Sequence, residues 1–142
     1  MAKKEKYKPH SFECLGTKFK GLNGAMMADT SASVFESMLQ SDSFKRLTPR
    51  QKILYVYLKG QFYGKRKPRM DYPNIEELQS DECFYFNFSV AHQYGLYPPR
   101  SSKNFYDDMQ ALIDAGFIER IVSGKAHRKK SIYRYSDRWK GS

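Results

Sequence analysis

Cysteine is scarce in this chain of 142 residues. Cys14 and Cys83 are its two, 69 positions apart, and neither has a partner at metal-ligand spacing. That excludes a disulfide framework and a zinc site, and it fits a reduced compartment. The three histidines, His10, His92 and His127, stand alone, without the paired spacing that would hold a metal beside a nicking tyrosine. Gly64-Lys65 and Gly124-Lys125 lack the other residues of a phosphate loop, so no nucleotide site is assigned. No apolar run approaches the roughly 20 residues of a membrane-spanning helix, and the start, Met-Ala-Lys-Lys-Glu-Lys, has no apolar secretion core. The eleven tyrosines are better explained as strand and core residues than as nucleophiles. These absences point to a cytoplasmic protein that is not an enzyme, with no cofactor, no metal and no membrane partner.

Positive charge is what the chain has in excess. Lys and Arg number 25 against 15 Asp and Glu, a formal net charge of +10. Such a field attracts polyanions and speeds their encounter. Residues 1–20 hold six Lys and two Glu, residues 59–69 five basic and no acidic side chains, and residues 123–142 seven basic and one acidic. Residues 71–119 reverse the sign, with nine acidic groups against Arg100 and Lys103. Segregation of this kind marks distinct surfaces rather than general stickiness.

The length favours one domain. Residues 1–30 mix Lys, Gly16, Gly21, Gly24 and scattered apolar residues without a period. They predict a flexible basic arm or a partly docked extension, either lying on phosphates or merely solvated. Residues 31–142 then form the domain. A weakly amphipathic helix is expected over Ser33–Phe44, with Val34, Phe35, Met38 and Leu39 on one side. Thr48-Pro49-Arg50-Gln51 has capping-box spacing and opens a stronger helix with Ile53, Leu54, Tyr57 and Leu58 as its apolar face. Residues 59–74 read as a long basic loop. Its Lys65, Arg66 and Lys67 are candidate contacts to a DNA backbone, with simple solvation as the alternative. The aromatic run Phe84–Phe88 reads as a strand whose rings serve the core, because no basic residue is interleaved for base stacking.

Ser89–Tyr94 predicts a short helix that Gly95 ends in a left-handed conformation, and Leu96-Tyr97-Pro98-Pro99 a connector. Ser101 or Ser102 caps the next helix, whose apolar stripe is Phe105, Met109, Leu112 and Ile113. At about 100° per residue its opposite face carries Arg100, Lys103, Asn104, Asp107 and Ala111. Asp108 and Asp114 are expected to be solvated. Gly116 stops the helix, Phe117–Val122 is a strand, residues 123–130 are a basic hairpin tip, and Ser131–Tyr135 is the return strand.

That order is the order of a winged helix-turn-helix. The expected fold is α+β, a three-helix core with a small antiparallel β-wing, preceded by an extra helix and the arm. Double-stranded DNA becomes the first candidate partner. Arg100 and Lys103 suit guanine and Asn104 suits adenine, while Asp107 can accept from a cytosine amino group or hold Lys103 in place. Ser101 and Ser102 lie near phosphates at the helix start. Lys125, His127, Arg128, Lys129 and Lys130 make the wing, which should set affinity and salt dependence while the helix sets sequence choice.

Four stretches carry a resemblance: SFKRLTPRQKILYVYLKG, FYFNFSVAHQYGLY, NFYDDMQALIDAGFIER and KSIYRYSDRWKG. Together they resemble the small winged-helix proteins of plasmids and conjugative elements in Gram-positive bacteria, and are similar to the amino-terminal DNA-binding domain of RepA-type replication initiators. The similarity runs from about Ser33 to Trp139. It implies sequence-specific duplex binding at an origin, an operator or a transfer origin of a mobile element, often as a homodimer, beside replication or transfer proteins. The output would be replication initiation, conjugative transfer or transcription regulation. The alternative is a non-enzymatic protein-interaction module of a replication or transfer complex, using the acidic stretch around Glu76–Asp81 and the acidic side of the helix after Ser101.

Overall fold

A computed structural model describes residues 8–63, 66–122 and 131–141. The chain divides into two compact units, Met1–Thr30 and Ser31–Ser142.

The first unit contains an element that the sequence pattern does not announce. Strands β1 (Lys18–Lys20) and β2 (Met26–Ala28) pair antiparallel, Phe19 opposite Met27. Asn23 shapes the turn by accepting from the Ala25 N–H at 3.1 Å, and Gly24 supplies a φ of +84°. Strands of three residues are too short to show a period of two, which is why composition alone suggests a structureless arm.

The second unit is α+β. Where one helix was expected over Ser33–Phe44, there are two short ones, α1 (Glu36–Leu39) and α2 (Asp42–Lys45). The break has a local cause. Ser41 adopts an extended conformation and accepts from the Phe44 N–H at 3.2 Å, so it caps a new helix instead of continuing the old one.

Helix α3 (Pro49–Lys59) starts with both halves of a capping box: the Gln51 N–H donates to Thr48 Oγ1, and the Thr48 N–H donates to Gln51 Oε1. It buries Leu54, Tyr55 and Leu58 and leaves Ile53 about half exposed, so its inward face is turned by about one residue from the expected one. Gly60 keeps a right-handed conformation, and the chain runs on as a 3-10 turn over Gly60–Tyr63. The stretch expected to begin the loop is therefore helical.

Strand β3 (Cys83–Tyr85) precedes α4 (Phe88–Gln93) and α5 (Ser102–Asp114), and strands β4 (Ile118–Val122) and β5 (Ile132–Tyr135) follow. All pairings in the sheet are antiparallel in the order β3-β5-β4, with Phe84 opposite Tyr133 and Arg120 opposite Tyr133. The pleat gives the sheet two faces. Phe84, Ile118 and Tyr133 enter the main core with Phe44, Leu54, Tyr55, Leu58, Phe105, Met109, Leu112 and Phe117. Cys83 and Ile132 face the other way and are covered by Leu78, with Tyr72, Tyr85 and Ile121 packed around them. The acidic segment before β3 thus closes the second face of the sheet.

The rings meet largely edge-on or tilted, Phe44 to Phe117 at 5.9 Å and Tyr55 to Phe117 at 5.0 Å, as aromatic quadrupoles prefer. Phe84 and Phe86 are fully buried, which is the core role expected of the aromatic run.

Candidate nucleic-acid interface

The segment that runs from α4 to α5 is built by short-range chemistry. Asn87 caps α4 by accepting from the Val90 N–H at 2.9 Å. Gly95, at φ +81°, ends it: the Gly95 N–H donates to the His92 carbonyl and the Leu96 N–H to the Ala91 carbonyl, a Schellman closure. His92 pins the connector through Nδ1 and the Tyr97 carbonyl at 2.8 Å. Pro98 and Pro99 open a turn that the Ser101 N–H closes by donating to the Pro98 carbonyl before α5 begins. Ser101 occupies the N-cap position with no side-chain cap bond. Its hydroxyl therefore takes no part in capping the helix.

Helix α5 buries Phe105, Met109 and Leu112. Its outward side exposes Ser102, Lys103, Asn104 and Asp107, and Arg100 is exposed just ahead of it, while Ser101 is half-buried. Four of these six residues of the expected interface lie on α5 and two in the turn just ahead of it. Lys103 Nζ lies 3.0 Å from Asp107 Oδ2, one turn apart and both exposed. Such a pair is worth only a few tenths of a kcal/mol, but it aims the lysine along the helix and neutralises Asp107.

Asp108 departs from expectation. It is 1% exposed, and its carboxylate accepts from Arg50 Nε at 2.6 Å, Arg50 Nη2 at 3.2 Å, Gln51 Nε2 at 3.2 Å and the Tyr97 hydroxyl at 2.6 Å. Burial pushes its pKa up, yet the hydrogen bonds from Arg50, Tyr97 and Gln51 outweigh burial and hold it below the usual carboxylate value. The Tyr97 phenol is pushed up, first by burial and then by the same bond. Asp114, by contrast, is exposed as expected.

The loop lysine also differs from its expected role. Lys67 is buried, its Nζ donating to the Asp81 carbonyl at 2.7 Å with the Phe62 ring 5.2 Å away. Burial lowers its pKa, and the ammonium is engaged inside the fold, so it is corrected from a backbone contact to a structural group. Arg66 is half-buried, donates to Gln61 Oε1 at 2.9 Å and lies over Tyr94 at 5.8 Å. Lys65 and the tip residues Lys125, His127, Arg128, Lys129 and Lys130 lie outside the described residues.

Two residues near the expected interface were not singled out from sequence. Arg120 is exposed on β4, with its guanidinium 6.0 Å from the centre of the Tyr133 ring. Tyr106 is about half exposed on α5 and interacts electrostatically with Tyr133. The alternation in β4 put Arg120 on one face with Ile118, which was the available signal.

A cleft of about 590 Å³ is bordered by Phe35, Tyr55, Lys59 and Trp139. Its Arg134 and Glu119 already pair with each other at 2.7 Å. Among the described residues no helix is long and apolar enough to cross a membrane. No family model matches the chain, and neither a curated protein nor a solved structure matches it.

Proposed function

We propose that residues 31–142 form a winged-helix domain that binds duplex DNA without a cofactor. The observation that carries the reading is the split character of α5: an apolar stripe buried to its centre, and an outward side on which Arg100, Lys103 and Asn104 are all exposed. Three further features support it. Helix α5 follows α4 through a tight turn, β4 and β5 pair antiparallel with four basic residues in the sequence between them, and the net charge is +10.

In this reading Arg100 and Lys103 donate to guanine, Asn104 pairs with adenine, and Asp107 steadies Lys103. Ser101, Ser102 and the hairpin tip touch phosphates, and Arg66 is a peripheral backbone contact. The resemblance to plasmid and conjugative-element proteins supplies the setting, a cytoplasmic DNA-binding protein of a mobile element acting in replication, transfer or transcription control.

The test is fluorescence anisotropy of a labelled random duplex at about 50 and 200 mM salt. Micromolar binding that weakens steeply with salt is expected, because each phosphate that the protein neutralises releases counterions. Replacing Lys129 and Lys130 by Ala should weaken binding to all duplexes alike and shallow the log–log salt slope by about 0.9 for each phosphate no longer neutralised. No binding at the lower salt would refute the DNA reading and favour the protein-interaction module.

A further inference from the structure

Asn104 and Asp108 are spaced i, i+4, so they lie along one ridge of α5, turned by about 40° from each other. Asn104 is exposed and Asp108 is buried. Asp108 is held by donors from two other segments: Arg50 and Gln51 from the first turn of α3, and Tyr97 from the connector between α4 and α5. Gln51 serves twice, since its Oε1 closes the α3 capping box while its Nε2 reaches Asp108. Arg50 also lies over the Tyr97 ring, 5.8 Å from its centroid.

We propose that Asp108 is a positioning residue for sequence discrimination: tied to Arg50, Gln51 and Tyr97, it fixes the rotation of α5 about its axis and so the direction in which Asn104 points. The inference rests on the DNA-binding reading. The physical reason is one of leverage. Apolar packing of Phe105, Met109 and Leu112 is tolerant of small rotations, because dispersion contacts have no direction. A carboxylate with four hydrogen bonds from two segments is not, because each bond weakens steeply off its axis. A turn of α5 by one residue step would carry Asn104 out of reach of a base edge, and the bonds at Asp108 would have to break for that to happen.

The experiment compares Asp108→Asn, Tyr97→Phe and Arg50→Lys with the parent chain. Circular dichroism and thermal melting establish that each folds; if Asp108→Asn does not, the two milder variants carry the test. Arg50→Lys keeps the charge but loses the fork geometry. The readout is the ratio of affinity for a duplex selected from a random library to affinity for an unselected random duplex. The expected result is a ratio lowered about tenfold or more, as for losing one base readout, with random-duplex affinity and its salt slope unchanged. Variants that melt earlier but keep the parent ratio would overturn the inference, leaving Asp108 a purely structural group. A parent chain that binds no duplex would sink the DNA reading and this inference with it, a result plainly different from selective binding that the variants leave intact.

Discussion

Helices α4 and α5 end in the same way, and that allows a controlled experiment on what Gly116 does. At the end of α5 the Gly116 N–H donates to the Ile113 carbonyl and the Phe117 N–H to the Leu112 carbonyl, both at 3.0 Å, the pattern found at Gly95. The two glycines have nearly equal φ, +85° and +81°. An alanine at either site therefore carries the same left-handed penalty, about 1–2 kcal/mol. They differ in surroundings. A Cβ at Gly95 meets nothing within 4 Å, whereas at Gly116 it would lie 2.8 Å from the Trp139 backbone nitrogen and 2.9 Å from the Arg138 carbonyl carbon. Backbone on that side cannot swing away cheaply. The Trp139 N–H donates to the Gly116 carbonyl at 3.1 Å, and the indole stacks on Phe117 at 5.8 Å, nearly parallel. Overpacking of this kind adds about 1–3 kcal/mol. Gly95→Ala should thus cost about 1–2 kcal/mol and Gly116→Ala about 2–5 kcal/mol, read as the shift of the urea midpoint at constant slope. In a domain of this size the excess corresponds to a melting point lower by at least about 4 °C. Equal losses at the two glycines would refute the claim that the C-terminal segment is clamped against the end of α5.

Two further predictions concern the buried charges. Because Asp108 is held below its ordinary pKa, its contribution to stability is fully present above the unfolded value near 3.9 and is lost as pH falls through the lower folded value. The stability difference between the parent and Asp108→Asn, followed by urea unfolding from pH 7 downward, should therefore hold steady to about pH 5 and shrink below about pH 4; a difference that grows on acidification would contradict the sign of the shift. Lys67→Met should leave duplex affinity and its salt slope unchanged, since the ammonium is engaged with the Asp81 carbonyl inside the fold. A shallower salt slope in that variant would return Lys67 to the phosphate-contacting set.

Much of the order of elements in the second unit was legible because its punctuation is chemical. Thr48-Pro49 and Gly116 mark helix ends by mechanisms that act within four residues, and both act in the structure. The rotation of α3 was not legible. Ile53, Leu54, Tyr55, Val56, Tyr57 and Leu58 are a continuous apolar run, so the periodicity has no sharp direction. What decides it is tertiary: Phe44 and Phe117 form the aromatic cluster that takes in Tyr55, and Ile53 is turned outward as a result. The break between α1 and α2 was readable in principle from Ser41-Asp42, a capping pair inside an apolar pattern too weak to override it.

The interface divides along the same line. The exposed residues of α5 follow from helical geometry alone, once Phe105, Met109 and Leu112 are recognised as the stripe. Asp108 and Lys67 do not follow, because residue type argues for water and the partners that overrule it are far away in sequence. Arg50 and Gln51 are nearly sixty positions from Asp108, and Asp81 is fourteen from Lys67. A buried carboxylate is tolerable only when its lone pairs are filled, and here Arg50, Gln51 and Tyr97 fill them. At about 100° per residue Asp108 lies about 85° from the centre of the stripe, a border position where packing and solvation compete. At such borders the outcome is set by whether another segment delivers donors, and Arg50 stands at the start of α3 because Thr48 and Pro49 put the helix start there. The capping box that was legible locally therefore also sets the long-range contact that was not.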